Sequence, residues 1–389
     1  GEDTARSPAR RQTILKGVAA VAAAQSLVLE GRAVASKTPA KKRVDTSPRL
    51  HYSPTGEHCP AAVIMLVGGF LIPPFQYDSY AASLAQLGYA VRLCDLEDSF
   101  FDTKTLKEGS DVVLAGIKKA LQYEEEAALI RNEAMARSSS TTSEKAAFMK
   151  RLVRVERDMA SQTNESMANV VEQLNQTLPN VPLILVGHSR GAKLCVMAAS
   201  RISKRISAMV LIDPVDATPF ETASVFPFLK KLQIPTAIIG AGGDGGQCAP
   251  LGGNYMAWYD AVQNAPRLLS EATQAGHMQF LDVRKALVVD PCPSGKLDDA
   301  YVRELALTVL TAWVTVWAPV VVANFPPSEQ EAVLRTKKET NKEKLYPKIA
   351  EIVTRDNVRE VLESTRFSVD VKWTSSIPTE PAPKIMVNL

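Results

Sequence analysis

Residues 183–191 read LILVGHSRG, and this stretch decides the fold. The four apolar residues predict a strand that is buried on both faces. They run into the pattern Gly-x-Ser-x-Gly, whose serine is Ser189, and residues 192–203 after it have a helical pattern rich in Ala, Leu and Met. A side chain at either glycine would collide across so tight a strand–turn–helix connection. The stretch therefore predicts a nucleophile elbow that lifts the Ser189 hydroxyl above the sheet.

Apolar runs alternate with helical patterns on both sides of this elbow. The predicted strands cover residues 61–67, 89–93, 182–186, 206–212 and 236–239, and the predicted helices cover residues 77–87, 111–121 and 192–203. Repeating β-α-β units with continuous apolar strands predict a mostly parallel sheet with helices on both faces. Ligands bind such sheets beyond the carboxyl ends of the strands. The predicted fold class is α/β, of the α/β-hydrolase type, with a helical insertion.

The chain divides into four predicted segments. Their bounds are a targeting signal over residues 1–35, a linker over 36–50, an α/β-hydrolase domain over 51–326 with a charged helical insertion at about 122–165, and a C-terminal extension over 327–389. The first segment combines an Arg-Arg pair, a short apolar stretch and an Ala-x-Ala sequence, which is the layout of a cleavable export signal. In a plant or alga, we expect this signal to direct the protein to the chloroplast, into the thylakoid lumen or to the thylakoid surface. In a bacterium, the alternative, it would direct the protein to export.

Residues 305–323 form an apolar run of nineteen residues, long enough to be weighed as a membrane span. Three threonines and Pro319 weaken that interpretation. We expect a last helix that packs against the sheet, with membrane contact as the alternative.

Composition and cysteine spacing narrow the function classes. The chain has 389 residues, 46% hydrophobic and 22% charged, with a formal net charge of +3, so nothing indicates a nucleic-acid partner. None of the five cysteines forms a Cys-x-x-Cys pair, so no zinc or redox motif is indicated. The simpler expectation is buried thiols. The alternative is that Cys248 and Cys292, both in predicted loops, pair in an oxidising compartment.

A serine nucleophile needs a base, and the chain has four histidines, His51, His58, His188 and His277. The first two precede the first predicted strand, and His188 adjoins Ser189 in the turn, where we expect it to point away from the hydroxyl. His277 follows the predicted strands, in agreement with the order serine, acid, histidine of α/β-hydrolases. We therefore predict that His277 is the general base.

The acid that orients the histidine has three candidates. Asp213 follows the fourth predicted strand, and Asp244 follows the fifth in a glycine-rich loop. Asp216 is the third candidate, although it could serve only to cap a turn. The residue pattern alone does not choose between Asp213 and Asp244.

Backbone N–H groups are expected to hold the oxyanion of a tetrahedral intermediate. One donor should be Arg190, the residue after the nucleophile, and the other should lie in the loop after the first strand, Gly68-Gly69-Phe70-Leu71. We predict Phe70 as that second donor. Many hydrolases carry His-Gly in this loop, but a backbone donor does not require the histidine.

These motifs resemble those of chlorophyllases, the plant and algal esterases that remove phytol from chlorophyll. The matching segments, within residues 55–290, are Gly-His-Ser-Arg-Gly at 187–191, Ile-Asp-Pro-Val-Asp at 212–216, Gly-His-Met and Leu-Asp within 276–282, Gly-Phe-Leu at 69–71 and Cys-Ala-Pro at 248–250. Arginine directly after the serine is the more specific feature. In that family the acid belongs to the Asp-Pro-Val segment, so the resemblance implies Asp213 rather than Asp244. Ala192, where a third elbow glycine is common, and the Gly-Gly loop depart from the pattern.

The resemblance implies a serine carboxylic-ester hydrolase that needs no cofactor or metal of its own. Its substrate would be a hydrophobic ester, the phytyl ester of chlorophyll or pheophytin, with peripheral membrane contact as a further expectation. A general lipase or carboxylesterase is the alternative enzyme. A non-catalytic module that binds pigment or protein is the alternative from another class, and it would be favoured if Ser189 and the imidazole of His277 lay too far apart to meet. The sequence does not indicate an oligomeric state.

Overall fold

The computed structural model describes the greater part of the predicted hydrolase domain. The described residues are 50–52, 60–96, 104–136, 151, 165–176, 181–216, 223–243, 248–283, 292–318, 369–374 and 386–388. The predicted targeting signal, nearly all of the predicted linker and Asp244 lie outside them.

The described residues contain a nine-stranded sheet in the order β1-β3-β2-β4-β5-β6-β7-β8-β9. Its strands are β1 (His51–Tyr52), β2 (Val63–Val67), β3 (Ala90–Cys94), β4 (Leu183–His188), β5 (Ile206–Ile212), β6 (Thr236–Ala241), β7 (Arg267–Ala272), β8 (Val369–Thr374) and β9 (Met386–Asn388). Neighbouring strands from β2 to β7 pair in parallel, whereas β1 joins β3, β8 joins β7 and β9 joins β8 in antiparallel pairs. The predicted mostly parallel sheet is confirmed, and part of the predicted C-terminal extension adds two strands to its edge.

Seven α-helices occur among the described residues. They are α1 (Asp78–Gln86), α2 (Leu106–Ala136), α3 (Met167–Gln176), α4 (Arg190–Arg201), α5 (Phe226–Leu229), α6 (Tyr255–Ala261) and α7 (Asp299–Trp317). Two 3₁₀ helices, Pro74–Tyr77 and His277–Phe280, flank the carboxyl edge of the sheet, and a third covers Ser203–Arg205.

Alternating strand residues face two hydrophobic cores because successive side chains point to opposite faces of a strand. In β2, Ile64 and Leu66 join the core beneath α1 and α7, whereas Val63, Met65 and Val67 join the core beneath α2, α4 and α6. Both faces of the central strands are therefore covered by helices, which explains why these strands read as continuous apolar runs.

The helix predicted over residues 111–121 is longer than its periodicity indicated. It starts at Leu106 and ends at Ala136, so it continues into the predicted insertion without a break at residue 122. Beyond that point Ala127 and Ile130 are buried, and Glu124 is hydrogen-bonded to His51, with 3.1 Å between the Oε1 and Nε2 atoms. The charged composition concealed one apolar face, which is what extends the helix. Strand β7 was missing from the prediction altogether.

The apolar run at residues 305–323 forms most of α7, as expected of a core helix. Val309, Leu310 and Trp313 are buried in the core on the α1 side of the sheet. Within the described ranges, no helix is both long enough and apolar enough to cross a bilayer.

Cys248 and Cys292 form a disulfide, with 5.7 Å between their Cα atoms, and not the buried thiols that we preferred. The bond ties the segment after β6 to the segment that leads into α7. Cys94 and Cys195 are free and buried. Sequence alone could not establish the pairing because it depends on the approach of two loops 44 residues apart.

Replacing both bonded cysteines, Cys248→Ser with Cys292→Ser, should lower the free energy of unfolding by about 2–4 kcal/mol, because the open chain gains conformational entropy when unfolded. Chemical denaturation monitored by circular dichroism measures the change. Reductant should lower the stability of the wild type to that of the double variant and leave the double variant unchanged. A wild type that is equally stable after both thiols are shown to be free would contradict this account.

Candidate active site

Ser189 occupies a strained turn between β4 and α4. Its φ is 55° and its ψ is −123°, a combination that an ordinary residue avoids. A Cβ atom at Gly187 would lie 2.6 Å from the Cα of Ala192, and one at Gly191 would lie 2.2 Å from the carbonyl oxygen of Val67. Both glycines are therefore required by close backbone contacts, and alanine at position 192 fits the turn.

Ser189, His277 and Asp213 form a continuous hydrogen-bonded row. The Oγ of Ser189 lies 2.9 Å from the Nε2 of His277, and the Nδ1 of His277 lies 2.5 Å from the Oδ2 of Asp213. His277 and Asp213 are buried, so water competes little for these contacts. With Nδ1–H donating to the carboxylate, Nε2 is left to accept the serine proton.

Asp213 is held from two sides at the carboxyl end of β5. Its backbone N–H donates to the carbonyl oxygen of Ile239 at 2.6 Å, and its Oδ1 accepts from the N–H of Ala241 at 2.9 Å. Both partners belong to β6, the neighbouring parallel strand. The second carboxylate oxygen is left for His277.

His277 begins a 3₁₀ helix whose start is fixed by the side chain of Gln279. The Oε1 of Gln279 accepts from the N–H of Gly276 at 2.7 Å and from the N–H of Gly295 at 2.9 Å, and its Nε2 donates to the carbonyl oxygen of Leu297 at 2.6 Å. This buried amide joins the turn before His277 to the segment that follows Cys292. Gln279 is not among the residues predicted from sequence, although its place three residues after Gly276 is a capping-box spacing.

The loop after β2 (residues 68–72, here the oxyanion loop) lies against the elbow. A Cβ atom at Gly69 would lie 2.8 Å from the Cδ1 of Ile72 and 3.1 Å from the Cβ of Ser189. The backbone N–H of Gly69 donates to the hydroxyl of Tyr77 at 3.2 Å and is thereby occupied. Phe70, the predicted donor, is the next residue of this loop, and Arg190 is the first residue of α4.

Backbone strain is concentrated at the site. Among the described residues, the non-glycine residues with positive φ are Leu71 at 57°, Ser189 at 55° and Asp213 at 36°. They lie in the oxyanion loop, the elbow and the end of β5. Such conformations cost on the order of 1–3 kcal/mol each and persist where surrounding contacts enforce them.

The side chains of Asp216 and Arg190 make contacts outside the row of Ser189, His277 and Asp213. Asp216 accepts from the N–H of Val225 at 2.9 Å and lies 3.9 Å from the ammonium of Lys193, so it holds a neighbouring loop. The guanidinium of Arg190 donates to the carbonyl oxygen of Lys104, ahead of α2. Within the described ranges, no group of three or more His, Cys, Asp or Glu side chains is arranged to hold a metal ion.

His188 is buried behind the row, and sequence reasoning assigned it no function. Its ring centroid lies 5.0 Å from that of His277, and its Nδ1 lies 2.7 Å from the hydroxyl of Tyr77. Burial, followed by the nearby charge of His277, lowers the pKa of His188 well below its usual range. His188 is therefore neutral at physiological pH.

This geometry suits nucleophilic catalysis. A hydroxyl at hydrogen-bond distance from an imidazole, which is itself oriented by a buried carboxylate, can be deprotonated as it attacks an acyl carbon. The 2.9 Å between Ser189 Oγ and His277 Nε2 is not the wide separation that would have favoured the non-catalytic alternative.

Comparison with known proteins gives the same fold. A family model described as "alpha/beta hydrolase fold" matches residues 135–233, which include the elbow. The chain is 35% identical over 143 residues to Chlorophyllase-1, chloroplastic, from Citrus unshiu and, to the same extent, from Citrus sinensis. The chain has the α/β-hydrolase fold and is similar to chlorophyllases. The match covers 31% of this chain and 43% of each relative, so it spans less than half of their length.

Two solved structures of esterases are also similar to this chain. Est1E from Butyrivibrio proteoclasticus has a TM-score of 0.38 and 12% identity, and covers 68% of this chain and 93% of its own. A ferulic acid esterase from Streptomyces cinnamoneus has a TM-score of 0.38 and 16% identity, and covers 70% of this chain and 72% of its own.

We expect Asp213→Asn to slow the reaction of Ser189 with a fluorophosphonate probe by roughly three to four orders of magnitude, because the amide no longer holds the required tautomer of His277. The labelling rate is measured by intact-protein mass spectrometry. Asp244→Asn is the matched control and should react at the wild-type rate. Loss of labelling in Asp244→Asn alone would show that the acid is Asp244.

Proposed function

We propose that this chain is a serine carboxylic-ester hydrolase in which Ser189 is the nucleophile, His277 the general base and Asp213 the acid that orients it. The single observation that carries the proposal is the row from Ser189 Oγ through His277 to Asp213, with separations of 2.9 Å and 2.5 Å. The strained φ of Ser189 supports the same role, since strain is retained where function needs an exposed hydroxyl.

Acylation begins when Ser189 Oγ attacks the ester carbonyl carbon while His277 Nε2 takes the hydroxyl proton. The carbonyl oxygen becomes an oxyanion, for which the backbone N–H groups of Phe70 and Arg190 are the proposed donors. The N-terminal end of α4, which starts beside Ser189, adds a favourable partial positive charge. The tetrahedral intermediate then collapses, and the leaving alcohol receives its proton from His277.

Deacylation uses the same groups in reverse. His277 Nε2 takes a proton from a water molecule as the water attacks the acyl-serine carbonyl. The second intermediate collapses, Ser189 Oγ recovers a proton from His277, and the free acid leaves. Asp213 orients the imidazole and stabilises the imidazolium that forms in each half-reaction.

The proposed substrate is the phytyl ester of chlorophyll or pheophytin, giving chlorophyllide or pheophorbide and phytol. Similarity to Chlorophyllase-1 supports this choice, since the similar region is 35% identical. The apolar character of the oxyanion loop also supports it: Phe70, Leu71 and Ile72 are only partly buried, and Phe75 beyond them is exposed. An apolar border beside the nucleophile suits a long isoprenoid alcohol better than a polar ester.

The proposed location is the chloroplast, in a compartment that allows disulfides. The Citrus relatives are named chloroplastic, and the bond between Cys248 and Cys292 is of a kind that persists under oxidising conditions.

The test is to incubate the protein separately with chlorophyll a, pheophytin a and a triacylglycerol, and to quantify the free acids by liquid chromatography. We expect chlorophyllide a or pheophorbide a from the wild type and a loss of at least about a thousandfold in Ser189→Ala. Ser270→Ala is the matched control, because Ser270 is buried in β7 and its hydroxyl has no partner among the described residues.

The products distinguish a pigment esterase from a general lipase and from a protein without esterase activity. Fatty acid from the triacylglycerol, with neither pigment cleaved, would indicate a general lipase. Equal and negligible product from wild type and Ser189→Ala on all three substrates would overturn the esterase proposal.

A further inference from the structure

We propose that Tyr77 and His188 are positioning residues that hold the oxyanion loop, the elbow and the backbone of His277 together through hydrogen bonds of fixed direction. The inference rests on the proposed function, because it concerns how the same site is kept in register. It assigns a role to two buried side chains that the catalytic row does not use.

His188 lies between two hydrogen-bond partners. Its Nδ1 lies 2.7 Å from the hydroxyl of Tyr77, and its Nε2 lies 3.2 Å from the carbonyl oxygen of His277. His188 is fully buried at the end of β4, directly before the nucleophile. Its ring also packs edge-on against Phe280, with 5.9 Å between centroids. The ring is therefore held between Tyr77 on one side and the 3₁₀ helix that carries His277 on the other.

The hydrogen-bond partners of His188 determine which of its ring nitrogens carries the proton. A carbonyl oxygen only accepts, so the Nε2 of His188 must be the protonated nitrogen. A neutral imidazole then has an acceptor at Nδ1, and the hydroxyl of Tyr77 must donate to it. The oxygen of Tyr77 is left to accept the N–H of Gly69 at 3.2 Å. One carbonyl group thus determines the direction of every bond from the oxyanion loop to His277.

Close packing around the Tyr77 ring makes this chain of hydrogen bonds rigid. Tyr77 is 1% exposed, and a Cβ atom at Gly68 would lie 2.9 Å from its ring. The Gly-Gly sequence, which replaces the more usual His-Gly, therefore lets the Tyr77 ring lie beneath the loop. Burial raises the pKa of the Tyr77 hydroxyl well above its usual range, so the hydroxyl remains a donor.

The charge of His188 affects the charge that His277 acquires during the reaction. His277 becomes cationic in each half-reaction, with its ring centroid 5.0 Å from that of His188. A second positive charge at His188 would oppose that step. Among the described residues, Tyr77 and His277 contact His188, Asp213 lies beyond His277, and Tyr80 and Asp282 act on Tyr77. Donation from Tyr77 stabilises the neutral form of His188, and its removal would favour protonation.

The experiment compares Tyr77→Phe with Tyr80→Phe, using p-nitrophenyl butyrate turnover and fluorophosphonate labelling across pH. Tyr80 is a matched control because it is equally buried, its ring centroid lies 6.5 Å from that of Tyr77, and its hydroxyl has no partner among the described residues. Tyr77→Phe should lower kcat by about tenfold or more with little change in KM, since a buried donor is lost from the site and not from the substrate. The acid limb of its pH–rate profile should move to higher pH by about half a pH unit or more, because His188 is protonated more readily without the Tyr77 donor.

A Tyr77→Phe rate that is lowered equally at every pH would indicate a purely structural role and would overturn the proposal. Tyr77→Phe with the rate and acid limb of Tyr80→Phe would overturn the proposal. His188→Gln, which keeps an N–H donor for the His277 carbonyl, should retain at least several times the kcat of His188→Leu at equal thermal stability. Equal rates for the two would also overturn it.

The hydrogen-bond direction has a readout that needs no activity. With ¹⁵N-labelled histidine, the His188 resonance, assigned by its loss in His188→Gln, should show a neutral ring protonated at Nε2. A ring protonated at Nδ1, or at both nitrogens near neutral pH, would refute the positioning proposal. A wild type that neither hydrolyses esters nor reacts with the probe would refute the esterase proposal instead.

Discussion

The site depends on one close contact, that of the first turn of α4 with the end of β2. Gly191 lies so close to the carbonyl oxygen of Val67 that a Cβ atom on it would be 2.2 Å away, and a Cβ atom on Gly187, across the same turn, would lie 2.6 Å from the Cα of Ala192. No residue with a side chain fits either position without moving the backbone. This contact sets the height of Ser189 above the sheet and brings the oxyanion loop beside it.

The remaining groups reach Ser189 because parallel strands end at a common edge. In the register of the sheet, His188 pairs with Ile212 and Ile212 with Ile239, so the elbow, Asp213 and the end of β6 are neighbours. His277 arrives from outside the sheet. Its segment is bound to the helix after the oxyanion loop: the amide of Gln76 exchanges two hydrogen bonds with the backbone of Val283, at 3.1 and 2.8 Å. Asp282 adds an acceptor for the N–H of Ser79 at 2.8 Å.

Much of this arrangement could be predicted from sequence because its signals are local. The elbow has a fixed pattern, and the parallel strands read as apolar runs because both faces are covered. His277 could be selected by elimination among four histidines. Asp213 could be preferred over Asp244 only by resemblance, since both follow strand ends, and spacing does not show which carboxylate faces His277.

What could not be predicted depends on pairs that are distant in sequence. Tyr77 and His188 are 111 residues apart, and the two bonded cysteines are 44 residues apart. Gln279 has a local signal in its capping-box spacing, but its second set of partners, after Cys292, has none. The charged segment was predicted to be helical, but its continuity with α2 was not, because the buried apolar side chains Tyr123, Ala127 and Ile130 are interspersed with charged residues.

In the proposed reaction, Ser189 carries the acyl group between two half-reactions. The most direct test of this role is rapid-quench mass spectrometry during the first turnover of an activated ester such as p-nitrophenyl butyrate. We predict an initial burst of p-nitrophenol that approaches one equivalent per protein, with the butyryl group on the peptide that contains Ser189. Turnover without any acyl-protein, or with the butyryl group on another residue, would contradict the account.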